Sequence, residues 1–329
     1  MSAVLAAAGA VVIALTLLDM LWTTMAAGSG AGPLIGRLAD GAWRLALRRH
    51  RRRPSHGFLA VAGVSTVLVV FAAWIVLVLA GWTLVFGHAD GAVRSSTTSA
   101  PGDLVDRLYF VGYSVFTLGN GDLRPGAGAW QLATVLMSGT GLVLVTLGIT
   151  YLVPVASAVA QRRQLGSYIS ALGSGPHDIV VRSWDGSGFG SLSQHLTNLA
   201  PMLHSLRQQH LTYPVLHYFH SRERESAAAA GVTDLAQALH LLRHGVAEGS
   251  RPDPSALLVA EASVDGFLET SRGSHVSIRA PLPLPPLGPL LEAGIPTVDE
   301  DQYRDAEEMT EHRRAMLAGL LAEDGWSAG

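Results

Sequence analysis

The sequence predicts an all-α membrane protein. It has three transmembrane helices, a short re-entrant helix and loop between the second and third, and a mainly helical polar domain after them. Three observations carry this. Long apolar runs occupy Val4–Met25, Phe58–Phe86 and Trp130–Val159, and a helix needs about 20 such residues to cross the hydrocarbon core. A shorter apolar stretch, ending in two glycines, lies between the second and third runs. Past residue 160 the apolar excess stops, although the whole chain is 49 % hydrophobic, too apolar for an ordinary soluble protein. Cysteine is absent, which excludes disulfides, thiolate nucleophiles and cysteine metal sites.

The first segment, 1–27, reads as an extra N-terminal span. No positive charge precedes its apolar run, as one would before a cleaved leader, so a retained helix is favoured over a signal peptide ending near Ala26 and Ala27. Asp19 interrupts the run, and an unpaired carboxylate at membrane depth is costly. Two readings stand for it. One is a partner or sensing site, paired with Arg37 or a hydroxyl of the second span. The other is a local hydrogen bond, with Asp19 protonated or bonded to Thr23.

The segment 28–57 reads as a basic loop. All basic residues of the chain are arginines, and seven fall here: Arg37, Arg44, Arg48, Arg49, Arg51, Arg52 and Arg53. Positive charge marks cytoplasmic loops, and Arg162 and Arg163 mark the end of the third run in the same way. The N-terminus is then outside, the second span runs outward and the third inward, and Gly87–Ala129 leaves and returns on the outer face. Beside two spans, the arginines suit anionic lipid headgroups better than nucleic acid.

The outer segment holds the chemistry. "DLVDRLYFVGYSVFT" (Asp103–Thr117) has acids where a helix N-terminus favours them and an apolar body too short to cross a bilayer. A glycine-containing loop follows, and non-helical backbone survives at membrane depth only where protein buries it or it lines water. The loop, "TLGNGD" (Thr117, Leu118, Gly119, Asn120, Gly121, Asp122), resembles the T-V-G-Y-G-D filter of the potassium-channel pore-loop superfamily. Its context is similar too: a pore helix before it, Pro125 after it, then an inner helix with Gly139 and Gly141. The resemblance covers roughly Phe58–Val159 within a pore domain placed at 58–160.

The resemblance implies a homotetrameric cation channel of the plasma (inner) membrane, with potassium as the permeant ion and no cofactor or catalytic residue. A filter replaces a cation's hydration shell with rings of oxygen. Gly119 and Gly121 permit the positive φ that alternating backbone demands, and the carbonyls of Thr117, Leu118, Gly119 and Asn120 would supply the rings, with the Thr117 hydroxyl at the inner mouth. Asn120 replaces the family's tyrosine, Leu118 its valine, and Phe116 stands where a threonine is frequent. Phe116 is expected to fill space behind the filter. Tyr113, four residues before Thr117, is expected to donate a hydrogen bond to Asp122. Gly141 best matches the family's gating hinge, and Val145 and Ile149 share a helix face suited to a constriction. Plain packing of small residues explains the two glycines equally well. Pro154 should kink or end the helix.

The tail, 161–329, reads as a cytoplasmic domain that sets the gate or the assembly. Ser191–Val246 and Asp299–Ala322 look helical, and Pro281–Pro289 reads as an extended proline-rich connector. "GSGFGS" (Gly186–Ser191), after the strand-like "DIVV", imitates a nucleotide-binding turn, but no succession of strands accompanies it, and it reads as a flexible turn capping the next helix. His217 with His220, and His240 with His244, have helical spacing but lack the further ligands of a zinc site. Nothing suggests an enzyme. Two rivals to a potassium channel remain: a weakly selective cation pore, and a non-conducting membrane sensor or scaffold with a degenerate loop.

Overall fold

The computed structural model of the protein describes residues 2–25, 33–272 and 278–327. In chain order the elements are α1 (Ser2–Met25), α2 (Pro33–Arg52), α3 (His56–Gly87), β1 (Val93–Ser95), α4 (Leu104–Val115), β2 (Leu123–Pro125), α5 (Ala129–Leu172), α6 (Pro176–Arg182), α7 (Gly190–Thr212), α8 (Ala228–His240), α9 (Pro254–Arg272), α10 (Gly288–Glu292) and α11 (Glu300–Glu323). Helices α1, α3 and α5 are long and apolar enough to span a membrane. The chain divides into two compact units, Met1–Asp40 with Ser65–Pro154, and Gly41–Val64 with Val155–Gly329.

In the first unit, α1 crosses α3 at glycines. A Cβ on Gly9 would lie 2.5 Å from the Gly81 carbonyl oxygen, and one on Gly81 would lie 2.7 Å from Ile13. Backbones approach this closely in membranes only where small residues permit it. Asp19 seals the same interface. It is 4 % exposed, and the Trp74 indole donates to its Oδ2 at 3.1 Å. The second span thus supplies an indole partner to Asp19, and the Thr23 hydroxyl bonds the Asp19 backbone carbonyl at 2.8 Å. The alternative cleavage point at Ala26 and Ala27 lies outside the described residues. Between α3 and α5, the Trp82 indole donates to the Thr140 hydroxyl at 2.9 Å.

These elements refine two expectations. The basic connection between the first two spans contains a helix: α2 has Trp43, Leu47 and His50 on a buried face and Arg44, Arg48, Arg49, Arg51 and Arg52 exposed. Helix α5 does not end at Pro154 but runs on to Leu172. The missing N–H costs one bond, which neighbouring backbone in a membrane helix can accommodate.

The second unit is mainly helical in its described residues. Its core gathers Leu165 and Ile169 of α5, Ile179 of α6, Leu196 and Leu203 of α7, Leu235 of α8, Leu257 of α9 and Leu317 of α11. Helices α7 and α9 form the most extensive pair, tied by the Arg207 guanidinium to the Thr270 hydroxyl at 2.9 Å. "DIVV" is not a strand: it lies in α6, which Pro176 opens at its first turn. The glycine turn after it closes on itself, the Asp185 carboxylate accepting from the Ser187 and Gly188 N–H groups at 2.8 and 2.7 Å. It gives α7 no side-chain cap. The stretch to Val246 is broken by tight turns at Pro214–Tyr218 and Arg224–Ser226. The proline-rich connector is extended up to α10 and takes a 2.7 Å bond from Tyr303 at the Pro285 carbonyl.

Candidate selectivity filter

Helix α4 begins with a capping box. The Asp103 carboxylate accepts from the Asp106 N–H at 2.8 Å, and the Asp106 carboxylate accepts from the Asp103 N–H at 3.1 Å. The acids foreseen at this end therefore satisfy two of the orphan donors every helix start leaves. Helix α4 stops at Val115, so its C-terminus, the negative end of its dipole, adjoins the loop.

The backbone then alternates. Thr117, Gly119 and Gly121 have φ of +56°, +61° and +81°, with Leu118 and Asn120 between them. A Cβ added at either glycine would meet nothing within 4 Å. Glycine is present for its dihedral and not for space. Thr117 holds the left-handed conformation without that licence, at a cost of about 1–2 kcal/mol, and its hydroxyl bonds the Phe116 carbonyl at 2.7 Å.

Five hydrogen bonds hold the loop's outer half. The Tyr113 hydroxyl donates to the Leu123 carbonyl at 2.7 Å, while the Asp122 carboxylate takes the Leu123 N–H at 3.2 Å. The expected Tyr113–Asp122 bond is thus replaced by one to the next residue's backbone. The physical reason is the short hairpin of β1 and β2, antiparallel with Ser95 opposite Leu123, which fixes that carbonyl. Ser96 extends the clamp: its N–H donates to the Asp122 carbonyl at 2.9 Å and its hydroxyl to the Gly121 carbonyl at 2.7 Å. The Asn120 amide donates to the Tyr109 hydroxyl at 2.5 Å, and the Tyr109 ring meets the Tyr113 ring edge-on at 5.2 Å.

Tyr109, Ser96 and Arg107 escaped the sequence reading. Tyr109 and Tyr113 share one helix face at four-residue spacing, a signal that was available. Arg107 is the lone cation of an apolar helix, and its buried guanidinium reaches the Gly87 and Gly102 carbonyls and Asp90 at 2.9, 3.1 and 2.9 Å. Phe116 is the C-cap of α4 and is 43 % exposed in the single chain.

On α5 the two glycines differ. A Cβ on Gly141 would lie 1.8 Å from the Val115 carbonyl oxygen, whereas one on Gly139 would meet nothing. Gly141 lets α5 touch the end of α4, and the Ser138 hydroxyl bonds the Ser114 carbonyl beside it at 3.1 Å. Val145 and Ile149 are exposed in the single chain.

Apolar spans flanking a capped short helix, and a clamped loop of alternating backbone hand, define a pore-loop membrane protein. The ion channel family profile matches residues 64–158. The chain is also 31 % identical over 316 residues to the uncharacterized membrane protein YdjJ of Bacillus subtilis (strain 168), covering 95 % of this chain and 92 % of that one. No solved structure matches. The chain belongs to the pore-loop ion channel family.

Proposed function

We propose that the protein is a homotetrameric potassium channel of the plasma membrane, with potassium coordinated by the carbonyls of Thr117, Leu118, Gly119 and Asn120. The alternating positive φ at Thr117, Gly119 and Gly121 carries this reading, since alternation lets successive carbonyls face one axis. One chain supplies one loop, so closed oxygen rings need copies around an axis. The apolar side chains Leu132, Val135, Leu136 and Leu142 of α5, exposed in the single chain, favour burial by further subunits or by lipid. The Gly121 carbonyl, taken by Ser96, stands outside the ring set. The dipole of α4, ending at the loop, favours a cation there.

In this reading the loop enters from outside and the tail lies in the cytoplasm. The exposed arginines of α2 meet anionic headgroups, and Val145 and Ile149 line the inner constriction. The unbroken run of α5 to Leu172 supports a tail that sets the gate. The weakly selective alternative is favoured by one observation: Asn120 is braced by a single hydroxyl, on a tyrosine that is 44 % exposed in the single chain. Purified protein in liposomes loaded with potassium should release it, and the Gly119→Ala variant should not. Absence of flux from the folded wild type would leave the scaffold reading standing.

A further inference from the structure

Three imidazoles meet in the second unit, where the turn between α2 and α3 faces the carboxyl-terminal residues. The ring centroids of His50 and His56 lie 4.9 Å apart and those of His56 and His220 5.1 Å apart, the latter pair stacked. The Trp326 ring stacks on His56 at 4.0 Å and on His220 at 5.4 Å. His220 is buried. None of these residues belongs to the filter.

The hydrogen bonds fix every proton in the cluster. His220 Nδ1 sits 2.7 Å from the Asp324 backbone carbonyl, which can only accept, so Nδ1 carries the hydrogen. The neutral ring then offers Nε2 as an acceptor, and His56 Nδ1, 2.9 Å away, must donate to it. His50 Nδ1 accepts the Ser55 N–H at 3.0 Å, leaving its proton on Nε2. A proton added to His220 therefore sets two N–H groups against each other across 2.9 Å. One added at His50 Nδ1 expels the Ser55 N–H.

We propose that His50, His56 and His220 form a proton-binding joint that holds Asp324–Trp326 to the α2–α3 turn near neutral pH and releases it in acid. The surroundings penalise added charge from every side. From α2 come His50 and Arg51, and from α3 comes His56. From α5 comes Arg162, whose guanidinium binds the Leu216 carbonyl at 2.8 Å and the Asp324 carboxylate at 2.6 Å. Arg224 lines the open cleft that admits water beside His50, His56 and Trp326. The Asp324 carboxylate is engaged by Arg162. Burial is the main cause that pushes the His220 imidazole down to about 3, with the Asp324 carbonyl opposing it and His56, Arg162 and His50 adding to it.

The sign follows from linkage. The released imidazole has the ordinary value of about 6.5, so the released state binds more protons below that pH. The closed joint is fully favoured above about pH 6.5 and weakens as pH falls towards the depressed value of about 3. Between about pH 7.5 and about pH 5 the closed-to-released ratio drops up to roughly 30-fold.

The test uses full-length protein in nanodiscs labelled with 5-fluorotryptophan, with the Trp326 resonance assigned by its loss in Trp326→Phe. On acidification from about pH 7.5 to about pH 5, the wild-type Trp326 resonance should shift. His220→Gln, whose amide can still accept from His56 but cannot titrate, should keep the neutral-pH spectrum and show a clearly smaller shift, the part that His50 and His56 still supply. His56→Gln should retain a shift, because His220 still titrates. A wild-type resonance that stays put, or a His220→Gln variant that titrates like the wild type, overturns the proposal. Should His220→Gln not fold, the wild-type and His56→Gln titrations decide it: a static resonance in either rejects the joint.

Discussion

The filter loop and the histidine joint use opposite parts of the chain. Between Thr117 and Asp122 the groups proposed to bind the ion are backbone carbonyls, and side chains serve mainly as braces: Tyr113 on Leu123, Tyr109 on Asn120, Ser96 on Gly121. At the joint the working groups are side chains, three imidazoles and an indole, and backbone serves as the brace, through the Asp324 carbonyl and the Ser55 N–H. A backbone site is exposed to errors of conformation, because a dihedral cannot be supplied from elsewhere. A side-chain site is exposed to errors of protonation. The two should therefore fail differently under mutation and under pH.

The largest effect expected from this contrast is at the filter glycines. Gly119→Ala or Gly121→Ala has room for its methyl group, yet must hold a left-handed backbone at about 1–2 kcal/mol per residue. That is close to a tenfold loss of correctly formed loop in each chain, and a ring of loops multiplies it. Potassium flux from liposomes should fall to background while the protein still purifies as folded. Full flux in either variant would remove the backbone account.

Next is the close approach of α5 to α4. Gly141→Ala puts a methyl into the Val115 carbonyl and should cost about 1–3 kcal/mol by overpacking. Gly139→Ala meets open space and should be neutral, or stabilising by up to about 1 kcal/mol through helix propensity. Thermal unfolding in detergent reads the difference. Equal losses at both positions would favour a flexible hinge over a packing contact.

The braces come third. Tyr113→Phe leaves the Leu123 carbonyl without its donor and should cost about 1–3 kcal/mol, seen as a lower melting temperature and reduced flux. Tyr109→Phe removes a more exposed bond and should cost about 1 kcal/mol or less. Its signature is a few-fold fall in potassium-over-sodium permeability with little change in melting. The smallest effect belongs to Trp74→Phe, which strips Asp19 of its indole donor. Hydrogen bonds between membrane helices average about 0.6 kcal/mol, so melting should drop by a degree or two at most.

Much of the filter was legible because its determinants are consecutive. The glycine spacing, the acids that cap α4 and the flanking apolar runs are all local patterns. The partner of Tyr113 was misjudged by one residue, since the hairpin that presents the Leu123 carbonyl pairs residues about thirty apart in sequence, from Val93 to Pro125, and leaves only a weak strand signal. The joint was not legible at all. His56 and His220 are separated by 164 positions, and the helical spacing of His217 and His220 drew attention to the wrong pair. His217 turns instead to the Trp43 ring at 6.3 Å. The amphipathic character of α2 was hidden by its arginines, which read as a loop until Trp43 and Leu47 were seen buried beneath them. At Pro154 only the ending of the helix is ruled out, since a membrane bundle tolerates proline inside a helix that it would more readily end in water.

Ion selectivity is the property on which the proposed function stands or falls: a backbone cage braced through Asn120 and Tyr109 should discriminate potassium from sodium. The direct measurement is the reversal potential of purified wild-type protein in a planar bilayer, with potassium on one side and sodium on the other. A braced potassium cage predicts a reversal potential displaced far towards the potassium equilibrium value. A reversal potential near zero would contradict it and identify a weakly selective pore.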